Sequence, residues 1–482
     1  MRFFYSLVTL LFMPMAFGHL LQRGRRQPEY RRHWGERLGF APRLDGPVLW
    51  LHAVSVGETR AAAPLIEALL QRHPGHRLLL THTTPTGRAT GHALFGHYGE
   101  RVVQAYLPYD LPGAVARFLR RTLPEMGILM ETEIWPNLYA AAAGRGTRLF
   151  LVNARMSAKS AGGYARLGRL TRVTLQHLTA IAAQTEADAA RLAELGAEHI
   201  TVCGNLKFDV DPPANTAARA AELRALFGNR QAWVAASTRE AEGDSEEAMI
   251  VDAWLERSEK SGSDLDFSGG EAEAAAGNRV TKNRGKTSIS PHCLLDSGLR
   301  RNDGTEKLGS DPNYSSDSAH PLLVIVPRHP QRFDAVAAML AARGVRFVRR
   351  SEGHAAGADT QIVLGDSMGE MAAYYAAADL AFIGGSLLPL GGQNLIEAAA
   401  AGCPVLIGPH SFNFEAATEA ALAAGAAVRV TDADALAEEV TALLAEPARL
   451  DAMRDSGRAF AAQHRGATAR ILAVLETTLR KC

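Results

Sequence analysis

The chain has 482 residues, too many for one compact core, so two or three domains are expected. Hydrophobic residues make up 47% and charged residues 21%, the composition of an ordinary globular protein. Lys plus Arg number 52 against 51 Asp plus Glu, which excludes wholesale binding to nucleic acid.

The first segment, Phe3 to Leu21, contains no charged residue and approaches the ~20 residues of a spanning helix. Pro14 and Gly18 interrupt it, so a short span, a re-entrant segment and a signal peptide all fit its length. Only Arg2 precedes the run, whereas Arg23, Arg25, Arg26, Arg31, Arg32 and Arg37 follow it. That flank favours the cytoplasmic side and suits anionic lipid headgroups. The expectation is a membrane anchor over 1–22, with the rest of the chain in the cytoplasm.

From Pro47 onward, short apolar runs alternate with Ala- and Leu-rich helical stretches. Strands are predicted at 48–54, 76–84, 101–108, 126–133, 148–155, 180–185 and 199–205. After a polar linker around 210–217 with Pro212 and Pro213, a second series follows at 232–237, 322–329, 361–366, 380–385, 404–408 and 426–430. Strand and helix in alternation imply parallel sheets covered on both faces. The predicted architecture is α/β: two Rossmann-like domains, 23–209 and 218–482, facing across a cleft. The stretch 258–320, rich in Ser, Gly, Asp, Asn and Lys, reads as a disordered insertion. Its Gly285-Lys286-Thr287 lacks the first glycine of a phosphate loop, because Val280 stands there. Cys203, Cys293, Cys403 and Cys482 show neither zinc nor disulfide spacing, which points to a reducing compartment.

In open parallel sheets, ligands bind beyond the C-terminal strand ends. The unusual residues collect there: His52 to Glu58, Thr81 to Arg88, Glu131 to Asn137, Asn153 to Ser157 and Gly204 to Asp209. The second series adds Pro327-Arg328-His329-Pro330, Gly365 to Glu370, Gly384-Gly385-Ser386 and Gly391 to Glu397. Glycine clusters before helix starts suit a phosphate, and Glu397 is placed to accept hydrogen bonds from ribose hydroxyls. An anionic donor held by the second domain follows from these features alone.

Taken in order from Arg31-Arg32-His33-Trp34-Gly35-Glu36-Arg37-Leu38-Gly39, these motifs resemble the Kdo (3-deoxy-D-manno-octulosonic acid) transferases of lipopolysaccharide synthesis. The resemblance covers almost the whole chain outside the insertion. It implies a GT-B glycosyltransferase fold with an N-terminal membrane anchor at the bacterial inner membrane, catalytic domains on the cytoplasmic side. It implies CMP-Kdo as donor substrate, a lipid A precursor (lipid IVA) as acceptor, inversion at the anomeric carbon, and no cofactor or metal. By resemblance, Glu58 is the catalytic base, and its place at a helix N-terminus favours the ionised form that a base needs. Glu131 and Lys207 match the residues that support the transition state. Arg328, His329, the Met368-Gly369-Glu370 segment and the Asn394-Leu395-Ile396-Glu397 segment match the CMP-binding elements. Two departures stand out. Gln393 replaces the histidine of the family's GGHN, and the STxxGEE-like block is stretched to Ser237–Glu247, leaving open which acid takes the usual place. Asp432-Ala433-Asp434 has the form of a metal-binding DxD but reads as a helix cap. His33, His73 and His82 lack ligand spacing.

Overall fold

The computed structural model describes residues 1–267 and 320–480. Most of the expected insertion, including Gly285-Lys286-Thr287, lies outside the described residues. Its first part does not: the helix Glu246–Phe267 runs past Ser258, where the sequence had placed the insertion's start.

Among the described residues, two seven-stranded sheets form the body, and every strand pairing within them is parallel. The first holds β1 (Val48–His52), β2 (Arg77–His82), β3 (Val102–Tyr106), β4 (Pro124–Met130), β5 (Arg148–Ala154), β6 (Ala180–Ala183) and β7 (Ile200–Val202), in the order β3-β2-β1-β4-β5-β6-β7. The chain reverses direction across the sheet between β1 and β4, which makes that pair the switch point where a ligand crevice opens. β1 is buried at all five positions because helices cover both faces. Gly127 in β4 has a packing reason: a Cβ there would lie 2.8 Å from the Trp50 ring.

The second sheet begins with β8 (Ala232–Thr238). A small hairpin follows, β9 (Glu240–Ala241) and β10 (Asp244–Ser245). Then come β11 (Leu322–Pro327), β12 (Phe347–Arg349), β13 (Ile362–Leu364), β14 (Leu380–Ile383), β15 (Val405–Ile407) and β16 (Ala427–Arg429). The sheet order is β12-β13-β11-β8-β14-β15-β16, with its switch point between β8 and β14. Every predicted strand is present. The sequence missed β12, an edge strand of three half-buried residues whose Phe-Val-Arg pattern carries little apolar signal, and the two-residue strands of the hairpin.

Residues 210–215, without regular structure, lead from the first sheet to the helix Thr216–Phe227. The C-terminal helix Ala467–Arg480 then crosses back. Its Ala467, Ile471, Leu472 and Leu475 share one apolar core with Leu65, Ile66 and Leu69 of the first half. Asp209 fastens this return by accepting from the Gly466 N–H at 2.6 Å and the Thr468 N–H at 2.5 Å.

The N-terminal helix Arg2–Arg26 is long and apolar enough to cross a membrane. One flank rests on the body: the Ser6 hydroxyl donates to Asn137 Oδ1 at 3.1 Å, and Phe17 packs on Trp34 and Tyr109. Phe3, Phe4, Leu10, Leu11, Phe12 and Met15 are exposed.

Candidate active site

In the first half, the residues with chemistry stand at the C-terminal ends of β1, β4 and the segment after β7. Ser55 caps the helix Val56–Ala61, and Glu58 occupies its third position. Glu58 Oε2 accepts from the Val54 N–H at 2.9 Å and Oε1 from the Ser55 hydroxyl at 3.0 Å, an arrangement close to a capping box. The carboxylate therefore has a fixed position whatever else it does. The sequence expectation that the helix start keeps it ionised needs correction. Burial first, and the nearby Glu131 carboxylate second, push the Glu58 carboxyl up to about 7. A helix of six residues supplies too little dipole, and two hydrogen bonds too little compensation, to cancel that desolvation.

Glu131 follows β4 with φ +58, a left-handed backbone that a non-glycine residue adopts only when its surroundings hold it there. Asn153, next to last in β5, and Ser237, next to last in β8, share this feature, at φ +51 and +59. Glu131 Oε1 meets Lys207 Nζ at 3.2 Å. That ammonium also lies 4.9 Å from the centre of the Phe414 ring, which belongs to the second half. Lys207 thus sits where the halves meet, and Arg155 adds a direct link by donating to the Phe412 carbonyl at 2.7 Å.

In the second half, Thr238 and Pro327 pair across β8 and β11, so the next residues, Arg239 and Arg328, emerge side by side. The Arg328 N–H donates to the Thr238 carbonyl at 2.9 Å. Burial first, then the charges of Arg239 and of Arg60 on the facing helix, lower the pKa of Arg328, while Glu397 opposes them. Arg328 is exposed by surface area yet surrounded by protein, as a side chain in the wall of an open cleft must be. Among the described residues, none of these three arginines has a carboxylate within ion-pair distance. Such a group suits an anion. His329 is held down by burial and the same two neighbouring arginines, Arg328 and Arg239, which favours its neutral form.

The remaining predicted residues divide by what they expose. Met368 is exposed and Gly369 has φ +81, but the Glu370 carboxylate is engaged by the Ser367 hydroxyl, by Arg350 at 3.4 Å and by Arg219 at 3.8 Å. Asn394 accepts from the Ile396 N–H at 3.1 Å and donates to Glu397 Oε1 at 3.0 Å, presenting Glu397 at the surface. The Leu395 and Ile396 side chains are core residues and offer a ligand only their backbone. Gln393 lies beside Gly385, where a Cβ would meet its Nε2 at 3.3 Å and Arg239 Cδ at 3.5 Å. Asp432 is the cap foreseen: its Oδ1 accepts from the Ala435 N–H at 2.8 Å. His82 is buried and its Nδ1 lies 2.9 Å from the Ala53 carbonyl; burial drives its pKa down to about 4.

The stretched acidic block is resolved by geometry. Glu246 is buried and accepts from the Arg239 N–H at 3.0 Å, the Gly385 N–H at 2.6 Å and the Leu387 N–H at 3.0 Å, so it ties the β8 and β14 loops together. Glu247 accepts from Thr238 at 3.0 Å and pairs with Arg332 at 3.2 Å. Glu240, Glu242 and Asp244 stand on the hairpin. The available signal was position: only Glu246 and Glu247 directly precede the apolar helical run.

An open depression of about 660 Å³ lined by Leu119, Leu123, Pro124, Glu125 and Arg145 to Arg148 lies at the opposite, N-terminal edge of β4 and β5. It holds none of these groups.

Comparison with known proteins gives a consistent answer. Residues 32–210 match the family described as 3-deoxy-D-manno-octulosonic-acid transferase (kdotransferase), and residues 345–460 match glycosyl transferases group 1. The chain is 43% identical to the 3-deoxy-D-manno-octulosonic acid transferase of Bordetella pertussis over 472 residues, 97% of this chain and 92% of that protein. It is 32% identical to that of Haemophilus influenzae, covering 100% of this chain and 99% of that protein. Among solved structures, a putative UDP-N-acetylglucosamine 2-epimerase from Listeria monocytogenes aligns with a TM-score of 0.54 at 13% identity, over 91% of this chain and 98% of that one. A glycosyltransferase from Rickettsia africae aligns at 0.53 and 12%, over 90% and 99%. These likenesses establish the fold as GT-B.

Proposed function

The chain belongs to the 3-deoxy-D-manno-octulosonic acid (Kdo) transferase family and is a glycosyltransferase, and on that premise we propose that it moves Kdo from CMP-Kdo to a lipid A precursor with inversion at the anomeric carbon. The observation that carries this reading is the placement of Glu58 beside the Glu131–Lys207 pair, at the seam where Phe414 and Arg328 of the second half face them. In this reading Glu58 takes the proton of the acceptor hydroxyl as its oxygen attacks the anomeric carbon from the side opposite CMP. Lys207, aimed by Glu131, balances negative charge on the donor carboxylate or the departing phosphate. Arg328, with the neighbouring Arg239, receives the CMP phosphate. Gly369 and the backbone of Asn394 to Ile396 shape the nucleotide pocket, and Glu397 accepts from ribose.

The reading places the chain at the bacterial inner membrane with its body in the cytoplasm, the exposed apolar residues of the helix Arg2–Arg26 entering lipid. Removal of residues 2–26 should move the protein from the membrane to the soluble fraction. A truncated chain that still sediments with membranes would refute the anchor.

Donor choice is tested by incubating detergent-solubilised protein and a tetra-acylated lipid A precursor with CMP-Kdo or with UDP-sugars. Release of CMP together with a lipid heavier by whole Kdo units, and no UDP release, is expected. UDP release instead would overturn the donor assignment.

A further inference from the structure

The helix Arg2–Arg26 meets the body on one side, from its first turns to its last. Tyr5, Thr9, Met13, Phe17, Leu20 and Gly24 are buried or half-buried, and their spacing of three and four residues is one stripe of an α-helix. Near the start, Ser6 Oγ lies 3.1 Å from Asn137 Oδ1, Tyr5 reaches the buried Asp110 carboxylate, and Arg2 stands by Asp110 and His177. Near the end, Phe17 packs on Trp34 and Tyr109, and the Arg23 guanidinium lies 5.7 Å from the centre of the Tyr30 ring. The opposite stripe, with Phe3, Phe4, Leu7, Leu11 and Met15, is apolar and exposed. Body contacts from Ser6 to Leu20 run along ~21 Å of the helix axis, whereas the hydrocarbon core of a bilayer is ~30 Å thick. A helix crossing the bilayer with these contacts in place would carry Asp110, Asn137 and the loops around them into hydrocarbon, which excludes such polar groups.

Charge agrees with this placement. Arg23, Arg25, Arg31 and Arg32 are exposed around the end of the helix. Near its start, the helices Ala158–Arg166 and Arg169–Leu175 expose Lys159, Arg166, Arg169 and Arg172, and Tyr164 of the first stands near Tyr5. No acidic residue occurs in the chain between Glu133 and Glu186. Cations at both ends suit the anionic headgroups of one leaflet, whereas a crossing helix would put one set on the far side. We propose that the helix lies flat in the cytoplasmic leaflet, with the stripe from Phe3 to Met15 dipped into the acyl chains, and does not cross the bilayer. The proposal rests on the reading that this helix enters lipid, and adds how it does so. Asn137, which meets Ser6, stands six residues after Glu131 at the start of the helix Pro136–Ala143, so the lipid surface adjoins the loop that carries Glu131.

The test is the depth of single spin labels on the full-length protein in vesicles of phosphatidylethanolamine and phosphatidylglycerol. Labels go on Phe4→Cys, Leu11→Cys or Gly18→Cys, three exposed positions seven residues apart on one face, with Cys293 and Cys482 replaced by Ser and the buried Cys203 and Cys403 kept. A flat helix puts all three labels at one depth, roughly 5–10 Å below the phosphates. A helix that crosses, or enters end-on, separates successive labels by ~10 Å in depth, and that spread would overturn the proposal. Labels that all stay in water would instead sink the prior reading that the helix enters lipid. A second measurement keeps every apolar side chain of the helix: a protease-sensitive tag placed before Met1 should survive external protease in intact spheroplasts and be digested after lysis. Digestion in intact spheroplasts would show the helix crossing and overturn the proposal while leaving the anchor in place.

Discussion

At the residue scale, one carboxyl carries two demands. Glu58 stabilises the start of its helix through Ser55 and Val54, and in the proposed reaction it must also be an ionised base. Burial and Glu131 raise its pKa to about 7 from the ordinary 4.5. A base works in its deprotonated form, so kcat/KM should climb through an acid limb near pH 7, and an acid limb near pH 4.5 would contradict the geometry. The string His52 to Glu58 marked a helix entrance beyond a buried strand, and the family resemblance pointed to Glu58 within it. Its electrostatics were not legible, because desolvation and the approach of Glu131 arise from residues 73 positions apart meeting only in the fold.

At the element scale, the strand ends were readable and the closures were not. Apolar runs flanked by glycine and polar residues located all the predicted strands, since a parallel strand covered on both faces has no choice but to be apolar. β12 escaped because an edge strand of three residues lacks that constraint. The helix Ala467–Arg480 follows the second sheet in the chain, yet it packs Ile471 and Leu475 into the core of the first half. Ile471→Ala should cost ~2–5 kcal/mol by removing buried methyl groups, a loss readable as a lowered unfolding midpoint. A variant as stable as wild type would mean that the helix does not bind the halves together. Glu246 belongs to this scale too: it joins the loops after β8 and β14 that carry Arg239 and Gly385, and its place before the apolar helical run separates it and Glu247 from the rest of the acidic block without choosing between the two.

At the scale of the whole molecule, two parallel sheets present their strand ends to each other, one with carboxylates and a lysine, the other with arginines that have no carboxylate within ion-pair distance among the described residues. In the proposed reaction the division of labour follows from charge: a hydroxyl loses a proton on one side while an anionic nucleotide is held on the other. The apolar N-terminal helix is attached to the first half, the side proposed to receive a lipid acceptor. The fold class and the order of site motifs could be read from the chain, because alternation and strand-end glycines are local patterns. The convergence of Lys207 with Phe414, or of Arg60 with Arg328, depends on how the halves dock and has no local signature. The most direct measurement is mass spectrometry of a tetra-acylated lipid A precursor after incubation with CMP-Kdo and either wild-type protein or Glu58→Ala. Kdo addition by wild type, with a loss of ~10²–10⁴-fold in the variant, is the predicted result. Equal addition by both proteins would contradict the assignment of Glu58, and no addition by a folded wild type that still binds CMP would contradict the proposed reaction itself.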